Sequence, residues 1–224
     1  DVIGIVFNKD VTGEEYDPYS RSVYVGKTFV MLVTEVDEEN STVYFNVHKA
    51  REVSREIFRN YLLEELEKGN KPIVNNCIVT GIGNLHNRIF ISLGGLGIFG
   101  LIPLSEWKYG YVYNPKKEIP ISMSTSVQVI DYKPRVVKNG KVFNEYFLCS
   151  RKATLPNPWE GIEEKAPKGS ILEVTCTHTR QRNWFGVNPS FDMDILCEYP
   201  DEEKNIKIEP GKKYKVLVYA VNES

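Results

Sequence analysis

Two short apolar segments separated by glycines form the most regular pattern in the sequence. Ile89–Leu93 and Ile98–Leu104 are apolar, and the glycines in and between them are Gly94, Gly95, Gly97 and Gly100. Apolar segments of this length divided by glycine predict two adjacent strands of one hairpin, with a tight turn at Gly94-Gly95. The stretch carries no charge, but it is shorter than the ~20 residues that span a bilayer, and glycines weaken a helix. A membrane helix is therefore rejected here.

Similar apolar segments recur along the chain and predict a protein built mostly of β-strands. The segments are residues 2–7, 28–36, 42–47, 73–82, 122–130, 142–150, 170–178, 193–198 and 212–221. Strands 28–36 and 42–47 are separated by Asp37-Glu-Glu-Asn40, whose Asp and Asn favour a turn, so they form a second hairpin. Residues 131–140 are predicted to be a loop.

Residues 50–68 have helical periodicity. The apolar positions are Val53, Ile57, Phe58, Tyr61, Leu62 and Leu66. This spacing predicts one helix with a single apolar stripe, ending at Gly69. We interpret it as a connector that packs on a neighbouring unit. A second connector is predicted after Arg151, where Pro156 and Pro158 prevent a long helix.

Composition narrows the classes of function. The chain has 224 residues, 42% hydrophobic and 26% charged, with a formal net charge of -2. A soluble protein of two or three small domains fits these values, and any binding of nucleic acid must come from local patches and stacking. The four cysteines form no C-x-x-C pair, so we expect reduced core thiols and no metal site. The first residue is Asp, which suggests processing or a longer parent chain.

Several segments also resemble one another at a spacing of about one small β-domain. Residues 26–37 resemble 122–131 and 211–222, and residues 43–51 resemble the segment ending in Ser150-Arg-Lys-Ala153. Each full unit would contain five strands, with a crossover between the third and fourth. Five short strands in a partly open barrel define an OB-fold. We therefore predict an all-β protein with short helical connectors and tandem five-stranded OB-type barrels.

Three motifs extend this prediction to a family. Phe90-Ile-Ser-Leu-Gly-Gly95 and Gly100-Leu-Ile-Pro-Leu-Ser-Glu106 resemble the two best-known blocks of the S1-domain family, an RNA-binding repeat found in a ribosomal protein. Asn157-Pro-Trp-Glu160, followed by Pro167-Lys-Gly169, is similar to the linker between those repeats. The linker is the more specific match, because a barrel does not require Pro-Trp.

The resemblance divides the chain into three units and two connectors. Residues 1–53 match the last three strands of one repeat, and residues 54–71 form the helical connector. Residues 72–153 match a whole repeat, 154–167 form the Pro-rich linker, and 168–224 match the first four strands of another repeat. We therefore expect either a part of a longer multi-repeat protein or divergent terminal domains.

In the middle unit, the resemblance implies single-stranded RNA stacked on aromatic side chains and held by nearby cations. Phe90 matches the aromatic residue of the family's second strand, Arg88 lies on the same face, and His86 is in the preceding loop. The family's third-strand His is replaced by Pro103. Further candidates are Phe99, Trp107 and Lys108. Packing in the core remains an equal alternative for Phe90 and Phe99.

The outer units contain the other candidate RNA-binding residues. In the third unit they are Arg180, Arg182, Trp184 and Phe185, two arginines interleaved with two aromatic residues. The alternative is an exposed loop whose Trp packs into its own barrel. Asp194 and Cys197 replace the family's third-strand Gly and His. In the first unit the candidates are Phe7 and Lys9.

The resemblance implies a non-catalytic, cytoplasmic protein that binds mRNA and acts in translation or RNA turnover. Weak repeats on one chain would add through effective concentration. Single-stranded RNA is the expected partner, with a ribosome or RNA polymerase as further candidates. Two hypotheses stay open beside it: an accessory module of a transcription or RNA-decay machine, and a protein-interaction scaffold without RNA binding. No cofactor, membrane contact or catalytic residue is predicted.

Overall fold

The computed structural model describes residues 2–12, 26–83, 88–138, 140–191, 193–200 and 206–221, and the fold within them is mostly β. The strands are β1 (Ile3–Val6), β2 (Leu32–Asp37), β3 (Thr42–Asn46), β4 (Ile73–Gly83), β5 (Arg88–Leu93), β6 (Ile98–Pro103), β7 (Ser124–Lys133), β8 (Val136–Lys138), β9 (Lys141–Phe143), β10 (Tyr146–Ser150), β11 (Ile171–Thr179), β12 (Asn183–Val187), β13 (Ile195–Glu198) and β14 (Lys213–Leu217). The helices are α1 (Asn8–Thr12), α2 (Val47–Glu67), α3 (Pro115–Glu118) and α4 (Ile162–Lys165), with 3-10 turns at Leu104–Glu106 and Lys152–Thr154. The predicted all-β fold with helical connectors is confirmed.

The middle of the chain forms a closed barrel with the strand order β10-β6-β5-β4-β7. The predicted hairpin is present, and β5 pairs with β6 from Arg88↔Pro103 to Leu93↔Ile98. Inward side chains of β5 alternate with outward ones, as strand geometry requires. At Gly100, a Cβ would lie 2.8 Å from the Ile91 side chain, so the core admits only glycine there without rearrangement.

Two open sheets flank this barrel along the chain and repeat parts of its strand order. The first sheet is β1-β3-β2, with β1 and β3 parallel and β2 and β3 antiparallel. The barrel contains the same arrangement in β6-β10-β7, where β6 and β10 are the parallel pair. The last sheet is β13-β12-β11-β14, which matches β6-β5-β4-β7 of the barrel.

Helix α2 joins the first sheet to the barrel and begins at Val47, three residues earlier than predicted. Asn46 caps it, because its side chain accepts a hydrogen bond of 2.7 Å from the backbone N–H of Lys49. Its packing on the barrel is confirmed, but only part of the predicted stripe is used. Phe58, Leu62 and Leu66 contact the barrel core, whereas Val53, Ile57 and Tyr61 are exposed.

The predicted loop at residues 131–140 is wrong. Strand β7 continues to Lys133, and β8 and β9 then form a short hairpin with Gly140 at φ 71°. The sequence signal for this hairpin is the Asn139-Gly140 dipeptide, which favours a tight turn between two short strands. Its apolar side chains are exposed on the surface: Val136, Val137, Val142 and Phe143.

Smaller differences concern strand ends. The strand predicted at 28–36 begins at Leu32, and the one predicted at 212–221 ends at Leu217. None of the helices within the described ranges is both long and apolar enough to cross a membrane.

Candidate nucleic-acid interface

Strand β5 presents a half-buried aromatic ring on the outside of the barrel. Ile89, Ile91 and Leu93 point into the core, so Phe90 points outward. The Phe90 ring lies over the neighbouring strand β4, where a Cβ at Gly81 or Gly83 would be 3.4 Å from it. Two glycines therefore make room for the ring to rest on the backbone of the sheet.

Phe99 on β6 completes an aromatic pair with Phe90. The two ring centroids are 5.6 Å apart with planes tilted by 33°, and Phe99 is 41% exposed. Arg88, at the start of β5, is exposed and pairs across the strands with Pro103. The structure thus brings Arg88, Phe90 and Phe99 together on one outer face. This favours a surface role for both rings over the alternative of core packing.

Two other predicted residues of this unit face elsewhere. Trp107 is only 4% exposed, and the Arg151 guanidinium lies 4.6 Å from its ring centroid. This ring is part of the core and offers no face to a base, which corrects the prediction. Lys108 forms an ion pair of 3.0 Å with Glu118, which neutralises its charge. His86 lies outside the described residues.

In the last sheet, Phe185 on β12 is also half-buried and points outward. Its ring stacks on His178 of β11, with centroids 4.6 Å apart and planes within 1°. The Arg180 guanidinium lies 4.9 Å from the Phe185 ring centroid, and Arg182 is exposed in the turn before β12. Two of the four residues predicted in this unit, Arg180 and Phe185, are therefore in contact on one surface.

Trp184 is the exception in this unit. It is 2% exposed, packs edge-on against Tyr214 at 5.4 Å, and donates from Nε1 to the Glu198 carbonyl at 3.0 Å. The alternative in which this Trp packs into its own sheet is the one the structure shows. Alternation explains it, since Trp184 and Phe185 are neighbours on one strand and must face opposite ways.

A polar cluster missed from the sequence joins the barrel to the last sheet. The Tyr113 hydroxyl lies 2.7 Å from Thr177 Oγ1, 3.1 Å from His178 Nδ1, and donates to Asp194 Oδ1 at 2.8 Å. The backbone N–H of Tyr111 donates to the other oxygen of Asp194 at 2.5 Å. Burial, together with the Asp194 carboxylate, raises the pKa of Tyr113 above its usual range, so the hydroxyl stays a donor.

Asp194 stands where the S1 family has glycine, and tyrosines recur at positions 109, 111 and 113. The unusual Asp194 and the repeated tyrosines are the two features of the sequence that could have indicated this polar cluster. The contact itself could not be predicted from the sequence, because Tyr113 and Asp194 are 81 residues apart in the chain.

The first sheet carries a smaller aromatic surface. Phe7 is exposed just after β1, and its ring stacks on Tyr44 of β3 with centroids 5.9 Å apart and planes within 15°. Lys9 is exposed on α1. Tyr44 was missed because it lies in the run Val43-Tyr-Phe45, where the outward direction of one ring cannot be predicted without the strand register.

The cysteines are buried and unpaired. Burial, with the neighbouring Cys176, raises the pKa of Cys197 to about 12, and burial likewise raises that of Cys149. These thiols remain protonated near neutral pH and are poor metal ligands. No group of three or more His, Cys, Asp or Glu side chains that could hold a metal occurs in the part of the chain that the structure describes.

The fold and the surface together define the class of protein. It is an all-β protein with an OB-type barrel, and aromatic and basic side chains lie on the outward face of its strands. The chain is 26% identical over 206 residues to the small ribosomal subunit protein bS1 homolog of Bacillus subtilis, covering 90% of this chain and 50% of that protein. It is 24% identical over 207 residues to small ribosomal subunit protein bS1 of Staphylococcus epidermidis, covering 90% and 49%. For bS1 of Streptococcus pneumoniae the values are 26% over 204 residues, covering 89% and 47%.

The chain spans about half the length of the curated relatives it matches. No family model matches the sequence. The relatives nevertheless confirm the predicted resemblance: over about 90% of its length the chain is similar to bS1 proteins.

Proposed function

We propose that the chain binds single-stranded RNA, without catalysis, on the outer faces of its barrel and its last sheet. One observation carries the proposal. Phe90 and Phe185 occupy corresponding strands of matching four-strand arrangements, and each is a half-buried, outward aromatic residue near an exposed arginine. Such pairs bind single strands by stacking on bases and attracting the backbone.

The expected free energy of base stacking is sufficient for RNA binding by a protein of net charge -2. Stacking of one base on an aromatic side chain contributes ~1–3 kcal/mol and requires no global positive charge. Two or three such contacts on one chain add through effective concentration, because binding at one unit holds the strand near the next.

The relatives named as ribosomal proteins support a translation-related role for this binding. Within the proposal, mRNA is the ligand, the cytoplasm is the location, and the ribosome is the larger partner. The units 1–53, 72–153 and 168–224 are proposed as S1-type repeats, with 54–71 and 154–167 as connectors. The same binding of single-stranded RNA would also serve an accessory role with RNA polymerase or in an RNA-decay complex.

The test is a titration of labelled U-rich and A-rich single-stranded RNA, measured by fluorescence anisotropy at low and at moderate salt. We expect binding to both strands at low salt and weaker binding at higher salt, because part of the attraction is to phosphate. Absence of binding to either RNA at low salt would remove the proposal.

A second candidate function is a protein-interaction scaffold without RNA binding. The exposed β8–β9 hairpin favours it, because Val137 and Val142 are solvent-exposed on a ribbon too short to be stable by itself. The same titration separates the two functions, since a scaffold requires no affinity for RNA.

A further inference from the structure

We propose that helix α2, most of which lies in the predicted connector, supplies part of a phosphate-binding site for the RNA backbone. The site is the cleft between α2, β6 and the base of the β8–β9 hairpin. This inference rests on the proposed RNA binding and adds a specific subsite to it.

The cleft has a volume of about 510 Å³ and opens at the surface of the barrel. The side chains relevant to binding along its walls are Arg55, Arg59, Phe99, Arg135 and Glu145. Phe99 belongs both to this cleft and to the aromatic pair with Phe90. The cleft is therefore continuous with the proposed base-stacking face.

The cleft contains more positive than negative side chains. Arg59 donates to both oxygens of Glu145, from Nε at 3.1 Å and from Nη2 at 2.8 Å, so these two charges neutralise each other. Arg55 and Arg135 form no ion pair with any residue that the structure describes. Two positive charges thus remain in one cleft of a protein whose net charge is -2.

Arg55 is held in place by the turn between β5 and β6. Its Nε donates to the Leu96 carbonyl at 2.9 Å, which leaves the two Nη groups for a ligand. Gly97 has φ +72°, and a Cβ there would lie 2.7 Å from Arg55 Nη2. The glycine therefore serves two purposes, because it permits the turn and leaves space for the guanidinium.

The chemistry fits a phosphodiester. A guanidinium is planar and always charged, and its N–H groups match the spacing of phosphate oxygens. Phe99 at the same cleft is open to a base. A base on Phe99 with its phosphate near Arg55 and Arg135 would account for one nucleotide, so the strand would pass from the aromatic face toward α2.

The experiment compares the double variant Arg55→Gln/Arg135→Gln with the matched control Arg51→Gln, which removes one exposed cation from α2 one turn earlier. RNA affinity is measured over a series of salt concentrations. For single strands, the slope of log affinity on log salt changes by about 0.7 for each phosphate that the protein no longer neutralises. We expect a shallower slope and weaker low-salt binding for the double variant, equally for U-rich and A-rich RNA. Arg51→Gln should match the wild type.

A second variant, Gly97→Ala, keeps every charge but displaces the Arg55 guanidinium, and should also weaken low-salt binding. Circular dichroism and thermal unfolding verify that each variant is folded. The proposal is overturned if the double variant retains the wild-type slope. It is also overturned if Arg51→Gln, which removes one charge, flattens the slope about half as much as the double variant, which removes two, because the effect would then follow charge alone and not a site.

The two proposals fail in different ways. If wild-type protein binds no RNA, the proposed function fails and the subsite fails with it. If Phe90→Ala/Phe185→Ala weakens binding while the arginine variants do not, only the subsite is refuted.

Discussion

The imidazole of His178 lies parallel to the ring of Phe185, with centroids 4.6 Å apart and planes within 1°. The two residues sit on adjacent strands, β11 and β12, and face each other across the ladder. The Arg180 guanidinium approaches the same Phe185 ring. The half-buried Phe185 ring is thus held in one orientation by two neighbours, which lowers the entropy cost when a base stacks on this surface.

We predict that His178→Ala weakens RNA binding about 2- to 10-fold, because an aromatic pair is worth roughly 0.5–1.5 kcal/mol and its removal frees the Phe185 ring. His178→Phe preserves the stacking and should retain most of the affinity. Anisotropy titrations of both variants check this. Equal affinities for His178→Ala and His178→Phe would show that the parallel contact does not support binding.

Trp184→Ala should act on folding instead of on RNA contacts. Removing a buried Trp from the core of the last sheet is expected to lower the free energy of unfolding by about 3–5 kcal/mol. Phe185→Ala, the next residue on the same strand, should cost much less, since its ring is half-exposed. Denaturant unfolding of both variants measures the difference. Similar decreases in stability for the two would contradict the assigned directions of these side chains.

Tyr113→Phe should loosen the junction between the barrel and the last sheet. It removes a hydroxyl that lies within hydrogen-bond distance of Thr177, His178 and Asp194, so Asp194 loses a donor. A decrease of about 1–3 kcal/mol in the free energy of unfolding is expected for leaving such a group unsatisfied. Tyr111→Phe is the matched control, because Tyr111 contacts Asp194 only through its backbone.

Thermal unfolding of the two tyrosine variants, together with small-angle scattering, provides the measurement. We expect Tyr113→Phe to unfold at a lower temperature and to occupy a wider range of shapes. A Tyr111→Phe variant that behaves in the same way would mean that the hydroxyl of Tyr113 does not hold the junction.

The attachment of α2 to the barrel should depend on pH. Hydrogen bonds from Arg59 and then Tyr132 lower the pKa of Glu145 below its ordinary value of 4.5. A carboxyl with a lowered pKa in the folded state stabilises the fold above its unfolded pKa, and this contribution disappears as the pH falls through the folded pKa. Because both side chains are partly exposed, we expect at most about 1 kcal/mol.

Denaturant unfolding of wild type and Glu145→Gln over a pH series tests this dependence. The difference in stability should be fully present above about pH 5 and shrink at lower pH. The double variant Arg59→Gln/Glu145→Gln should show no such pH dependence. A difference between wild type and Glu145→Gln that stays constant through the acidic range would refute the role of this ion pair.

The sequence was sufficient for features that depend on local pattern. The glycine-divided segments predicted β5 and β6 correctly, and the 3–4 spacing predicted α2. The β8–β9 hairpin was missed because its strands have three residues each, too short for a periodic pattern to stand out. The direction of Trp184 could not be fixed without the strand register, because a shift of one residue reverses every side chain.

Contacts between residues far apart in the chain could not be predicted from the sequence either. Arg59 and Glu145 are 86 residues apart, and Tyr113 and Asp194 are 81 apart. No periodicity connects such positions; they meet only because the barrel closes and the last sheet packs beside it. Phe90 and Phe185 could be proposed because they lie at the aromatic position of the family's second strand, whereas Phe99 was added only as a nearby aromatic residue.

The central claim is that outward aromatic residues of corresponding strands bind RNA, and the double variant Phe90→Ala/Phe185→Ala tests it most directly. Its affinity for labelled U-rich RNA at low salt is compared with that of wild type and of Tyr219→Ala, which removes an exposed aromatic residue outside the strands. Removing two stacking surfaces worth ~1–3 kcal/mol each should weaken binding at least about 30-fold, while Tyr219→Ala stays near wild type. A folded double variant that binds RNA as tightly as wild type would contradict the account.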